Sequence, residues 1–184
     1  MDIKKLFACS FIVIAVLLIT ASFEGRGQKP GWEEGKIALW KQSAQYLTAN
    51  RQLISLINKT ERNYGSNISL FSQRFKVDRE LMIGIVATEC SGEKINKPMQ
   101  TIAIAARQVG VKNHYNVYGN MLAGTKYLKY LLGEFKNQDA AIAAYNLGPT
   151  KVKRLLRRRG FKPKRVDYVK RVNEIKKMAE AMLS

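Results

Sequence analysis

Residues 81–89 read LMIGIVATE, an almost unbroken apolar run that ends in one carboxylate, Glu89. Read as a helix, the run puts Glu89 four residues after Ile85, three after Val86 and seven after Met82, on their apolar face. Ser91 and Gly92 follow, and glycine is a common helix stop. The carboxylate then sits in the last turn, near the negative end of the helix dipole. Burial and dipole both disfavour its charged form, so its pKa is expected to rise. A carboxylic acid that keeps its proton near neutral pH suits the proton donor of glycosidic cleavage. The ordinary alternative is a helix-end Glu that reaches solvent, because carboxylates are seldom buried unpaired.

Around this run the chain reads as helical throughout. Trp32 to about Asn63 predicts one long helix with an imperfect stripe of Leu39, Trp40, Leu47, Ile54 and Ile57. Tyr64-Gly65-Ser66-Asn67 predicts a break, Ser69 to Lys76 a short helix, and Asp78 an N-cap for the helix that carries Glu89. After the polar loop GEKINKP, Met99 to Val109 has a helical pattern closed by Gly110. Asn113 to Gly119 is irregular, and Asn120 can cap a helix to about Lys136 with Met121, Thr125, Leu128, Leu132 and Phe135 on one face. Asp139 opens an Ala-rich helix ending at Leu147-Gly148-Pro149, and a basic helix runs on to Gly160. Val166 to Leu183 forms the last helix, with Val169, Val172, Ile175 and Met182 inward. No stretch keeps a strand period and no hairpin turn is signalled, so the expected fold class is all-α with short connections.

The amino terminus has a different character. MDIKK is a basic head, and Leu6 to Phe23 is uncharged and mostly apolar, which predicts a secretory signal or a signal-anchor over 1–23. Residues 24–31 (EGRGQKPG) read as a linker, 32–63 as an N-terminal helical extension and 64–184 as the catalytic domain. Export, secreted or anchored, places the chain outside the cytosol and argues against a nucleic-acid partner. The 184 residues hold 32 Lys+Arg against 14 Asp+Glu, a formal +18, which calls for an anionic partner or surface. From Lys151 to Ser184 the net charge is +10. Anionic lipid and the acidic polymers of a bacterial wall are both negative, so the tail fits nonspecific retention at an anionic envelope surface. The ordinary meaning of such a run is a solvated helix face.

Chemistry other than acid catalysis finds little support. Cys9 and Cys90 make no disulfide framework, and Cys90 with the single His114 is a poor nucleophile–base pair, so Cys90 reads as a small buried residue. Metal-ligand spacing, a phosphate-binding glycine loop and a nucleophile elbow are all missing from the sequence, so no cofactor and no metal is expected.

Four segments line up in order: ATECSG around Glu89, PMQTIAIAARQVGV from Pro98, NMLAGTKYLKYLL from Asn120, and AAIAAYNLGPTKV from Ala140. Together they resemble the SLT-type lytic transglycosylases of bacteria, which have a goose-type lysozyme-like fold. The resemblance covers roughly Ser69 to Val172 and departs at several points. Cys90 stands where the family usually has Ser, Lys97-Pro98 replaces Gly-Leu, and Leu147 replaces a small Ala. The connection from Glu89 to Gln100 is also shorter than usual.

The resemblance implies a location, the bacterial periplasm or cell envelope, and with it a substrate and a reaction. The substrate is the glycan strand of peptidoglycan, and the bond cut joins N-acetylmuramic acid to N-acetylglucosamine. The muramic acid 6-hydroxyl attacks its own anomeric carbon, without water, to leave a 1,6-anhydro end. Glu89 is the single catalytic residue, acid first and base second. The resemblance further implies that Met99 and Gln100 line the groove. Tyr145 and Asn146 face the sugar, Tyr145 orienting the carboxyl group and Asn146 binding an acetamido or hydroxyl group. Tyr127 and Tyr168 are further groove candidates, although an aromatic at helical spacing is ordinarily core. Glu93 reads as a solvated loop residue. The alternatives at this level are a water-using muramidase of the same fold and a glycan-binding scaffold with little turnover. Such a scaffold, or a phage lysis protein sharing the chemistry, would have an envelope-spanning secretion, conjugation or lysis machine as partner.

Overall fold

The structure, a computed structural model, describes residues 32–183. The predicted signal or anchor over 1–23 and the linker over 24–31 lie outside the described residues. Among the described residues no helix is long and apolar enough to cross a membrane. The described residues divide into two compact units, residues 32–52 with 181–183, and residues 53–180. In the first, the described part is helical, and Ile37 and Trp40 are exposed. The side chains of Leu39 and Leu47 lie outside the described set.

The helices are α1 (Trp32–Phe75), α2 (Arg79–Cys90), α3 (Ala103–Gln108), α4 (Val117–Phe135), α5 (Gln138–Leu147), α6 (Pro149–Leu156) and α7 (Asp167–Leu183). A 3-10 turn, Pro163–Arg165, precedes α7. No strand occurs among the described residues, in line with the all-α expectation.

In the second unit, α2 is buried nearly all round: Leu81 through Ala87 and Cys90 are all inside. A helix apolar on every face has to be surrounded, and this one is the centre of the core. Each fully buried Leu, Ile or Met contributes on the order of 2 kcal/mol of transfer free energy. Asp78 caps α2 as expected, its carboxylate accepting from the Leu81 amide at 2.8 Å. Ser91 ends it in the left-handed conformation at φ 52°, its N–H donating to the Ala87 carbonyl. Cys90 is buried, as read from the sequence.

The expected break at 64–67 does not exist: α1 runs through it. The reason is tertiary. Leu53, Ile57, Thr60, Tyr64, Ile68 and Phe71 form a buried stripe along one side of the helix. The Tyr64 hydroxyl donates to the Glu93 carbonyl at 2.6 Å and accepts from the Ile95 amide at 2.7 Å. Such anchoring outweighs the cost of about 1 kcal/mol for Gly65 in a helix interior. The stripe itself also differs from expectation, since Ile57 is buried but Ile54 only half-buried.

Two more boundaries shift. The helix expected over Met99–Val109 is confined to Ala103–Gln108, and Met99 and Gln100 belong to a turn before it. The cap of α4 is Asn116, which accepts from the Gly119 amide at 2.7 Å, and not Asn120. Asn120 lies one turn inside, fully buried, with a different task. In α7, Val169, Val172 and Ile175 are buried as expected, while Met182 is half-buried.

Candidate active site

Glu89 lies in the last turn of α2, half-buried. Opposite it, α7 comes unusually close, because Gly84 has no side chain. A Cβ at Gly84 would sit 2.7 Å from the Val172 carbonyl oxygen. Tyr168 is one helical turn before Val172 and so shares its face. Its hydroxyl donates to Glu89 Oε1 at 2.6 Å. Burial pushes the Glu89 carboxyl above its ordinary range, and the Tyr168 hydrogen bond pulls part of the way back. Burial also raises the Tyr168 hydroxyl, with the neighbouring Glu89 charge adding to it, so Tyr168 stays a donor.

Glu89 is singular among the carboxylates of residues 53–180. Asp78, Glu80, Glu61, Glu134, Asp167, Glu174 and Glu180 each have a Lys or Arg partner. Asp139 accepts from the Asn173 amide. Glu93 is exposed and pairs with Lys59, as a loop residue should. Among the described residues, Glu89 alone is bonded to a hydroxyl with no cation beside it. A half-buried carboxylate without a counter-charge is set up to hold a proton, not to stabilise the fold.

A second group of residues holds the turn at Met99–Thr101. The Asn120 Oδ1 accepts from the Met99 amide at 2.9 Å. Its Nδ2 donates to the carbonyls of Thr101 at 3.5 Å and His114 at 3.4 Å. The Tyr145 hydroxyl donates to the Met99 carbonyl at 2.9 Å and lies 3.4 Å from Thr101 Oγ1. Gly124 gives the turn its room, since a Cβ there would lie 2.7 Å from both Met99 Sδ and Thr101 Oγ1. The Asn-x-x-x-Gly-x-x-Tyr segment therefore has a physical meaning. Asn120 pins the turn, Gly124 lets it approach, and Tyr127 packs its ring 5.8 Å from Tyr145.

These positions revise the expected roles. Met99 is completely buried, so its side chain supports the turn from beneath and presents no groove surface. Gln100 is exposed beside it, held at φ 46° in the left-handed region, where a residue with a Cβ is uncommon. Tyr145 bonds the Met99 carbonyl, and the residue that bonds the Glu89 carboxyl is Tyr168. Asn146 is exposed at the end of α5 and gives Glu89 no hydrogen bond. Tyr127 is core, as its spacing suggested. Sequence reasoning missed Asn120 and Thr101 as parts of the site. The signal for Asn120 was its place at the head of the NMLAGTKYLKYLL segment, where an amide side chain reads equally well as a cap.

No solved structure matches the chain. The model of the transglycosylase SLT domain matches residues 66–168, a span that holds Glu89, the pinned turn, Tyr145 and Tyr168. It takes in more than half of the chain, and on that match and the all-helical fold the protein belongs to the SLT transglycosylase family.

Proposed function

We propose that this protein cuts the bond between N-acetylmuramic acid and N-acetylglucosamine in peptidoglycan without water, using Glu89 as acid and then as base. Family membership gives the coarser statement: a lytic-transglycosylase-type enzyme acting on peptidoglycan strands, and hence in the cell envelope. The observation that carries the finer one is the setting of Glu89, half-buried, with no cation beside it among the described residues and bonded through Oε1 to Tyr168.

With Oε1 occupied as an acceptor, the acid proton resides on Oε2. That proton passes to the glycosidic oxygen as the C1–O bond breaks, and the leaving sugar departs with its hydroxyl. An oxocarbenium-like muramoyl centre remains. Its own 6-hydroxyl attacks C1, and the hydroxyl proton returns to the Glu89 carboxylate. The 1,6-anhydro ring closes and the acid is restored, so the atoms balance with no water consumed. A tethered nucleophile needs no second carboxylate to position it. Glycosidases that use water require such a pair at a set separation. Here the other carboxylates of residues 53–180 are engaged elsewhere.

The test is mass spectrometry of products from purified sacculi. Anhydro-muramoyl ends are expected, lighter by one water than the reducing ends a muramidase would leave. Glu89→Gln keeps the shape of the side chain but has no proton to give, so cleavage should fall by at least about 100-fold, the low end of general acid catalysis. Reducing ends would establish the muramidase alternative. Turnover within tenfold of wild type in Glu89→Gln would remove Glu89 from the mechanism.

A further inference from the structure

Residues 151–165, KVKRLLRRRGFKPKR, are the most densely cationic stretch of the second unit. They carry nine lysines and arginines and no carboxylate. All nine are exposed, and the one ion pair they make among the described residues joins Lys153 to Glu134. An ordinary solvated helix face looks different, and α7 supplies the comparison. Its cations are matched: Lys170 pairs with Asp167, Arg171 with Glu174 and Lys176 with Glu180. Like charges crowded without partners repel one another over the screening length of about 8 Å, and an anionic surface relieves that repulsion.

The segment is held to the domain at both ends. Val152 is fully buried, and α6 and the 3-10 turn both pack against α5. Between them the chain turns tightly. The Arg158 amide donates to the Leu155 carbonyl at 2.9 Å, the Phe161 amide donates to the Arg158 carbonyl at 3.3 Å, and Gly160 takes φ 90°. The cations therefore stand on a folded framework.

A second observation is apolar. Val152 and Leu156 lie one turn apart on the same face of α6, yet Val152 is wholly buried and Leu156 is 45% exposed. The apolar row thus runs past the edge of the core and into solvent, in the midst of the cations. Phe161, half-buried, follows five residues later. Leu156 in water forgoes the free energy of apolar burial, and a partner that is only anionic cannot restore it.

We propose that residues 151–165 dock the domain on an anionic phospholipid bilayer, the cations on lipid phosphates and Leu156 and Phe161 in the interfacial layer. Basic segments interleaved with Leu, Phe or Trp settle at that depth, where apolar groups reach the acyl boundary and cations stay among the head groups. Wall polymers and soluble phosphates match the charge but offer no apolar layer. A bilayer satisfies both observations, so it is the occupant. Such a contact keeps the enzyme at the membrane face of the wall. The inference rests on the envelope location that family membership gives, and not on the reaction proposed for Glu89.

The experiment is amide hydrogen exchange of the full chain with two kinds of vesicle, pure phosphatidylcholine and an equal mixture of phosphatidylcholine and phosphatidylglycerol. Exchange is read over residues 155–162 only, so any binding by residues 1–31 is common to every sample. These amides should exchange about tenfold more slowly on the anionic vesicles than on the neutral ones, within what two or three cations at a charged surface supply. R158E/R159E should erase the difference. L156S keeps every charge and alters an exposed position, so its Tm should match wild type while most of the protection is lost. Soluble polyphosphate at the same phosphate concentration should protect less than the anionic vesicles. Equal exchange on neutral and anionic vesicles would overturn the contact, as would protection that survives R158E/R159E. Protection intact in L156S, or reproduced in full by polyphosphate, would reduce the segment to a patch for any polyanion and overturn the bilayer as its occupant. No cleavage is measured, so failure of the proposed reaction would leave this result standing.

Discussion

The Tyr168 hydroxyl donates to Glu89 Oε1 at 2.6 Å across 79 residues of sequence. This bond fixes the carboxyl group in place and leaves its second oxygen free, and it opposes the effect of burial. Burial favours the protonated acid, whereas a hydrogen bond donated to the carboxylate favours the ion. The acid strength of Glu89 is the balance of the two.

That balance predicts the behaviour of Tyr168→Phe. The substitution removes the force that lowers the Glu89 pKa and keeps the ring that excludes water. The Glu89 pKa should rise above its wild-type value, and the alkaline limb of the pH–rate profile should move up with it. The check is carboxyl titration by NMR, with Glu89→Gln assigning the signal. A downward shift would mean that the phenol ring, not its hydroxyl, governs this acid.

A stability prediction follows from the same displacement. A carboxyl group whose pKa is raised on folding contributes its stability fully below the unfolded value of about 4.3. That contribution is lost as pH rises through the folded pKa, where the buried charge must form. Wild type and Glu89→Gln should therefore have similar Tm values at low pH. The Gln variant should become the more stable one as pH rises past the Glu89 titration. Thermal unfolding across that range decides it, and a gap independent of pH would show that Glu89 is not desolvated in the folded state.

Gly124→Ala tests the pinned turn. The new methyl would meet Met99 Sδ and Thr101 Oγ1 at 2.7 Å, and both belong to buried residues. Overpacking of this kind costs about 1–3 kcal/mol. A lowered Tm with a larger proportional loss of activity is expected, because the turn also carries Gln100 and the acceptor for Tyr145. A variant with wild-type Tm and activity would show that the turn has room the structure does not display.

Salt should separate retention from chemistry. Screening shortens the reach of surface charge to about 10 Å at 0.1 M. Activity on intact sacculi, where the exposed cations of residues 151–165 meet a polyanionic surface, should fall steeply as salt is added. Cutting of short soluble glycan should fall less. Equal sensitivity on both substrates would remove retention at the wall as a role for the basic segment.

The sequence by itself determined that the domain is helical and which carboxylate stands at the end of its apolar helix. The apolar period of α2 and its arrest at Glu89 are local facts, and burial of that helix follows from composition alone. The order of the four motifs carried the family for the same reason, since each is a short contiguous pattern. What tertiary structure decided is every contact between distant residues. Gly65 lies inside a helix because Tyr64 is anchored to the loop at 93–95. Asn120 looked like a cap because an amide side chain suits a helix start, and nothing local shows that its partners are Met99, Thr101 and His114. Tyr168 read as a groove candidate that ordinary spacing would equally make core, because an aromatic at helical spacing has no mark that distinguishes a buried hydroxyl from a hydroxyl with a task. Its partner was set by Gly84, which brings α7 against α2 far along the chain. Helical periodicity is written in residues three and four apart, whereas the strength of the acid depends on which side chain a glycine admits from the other end of the domain.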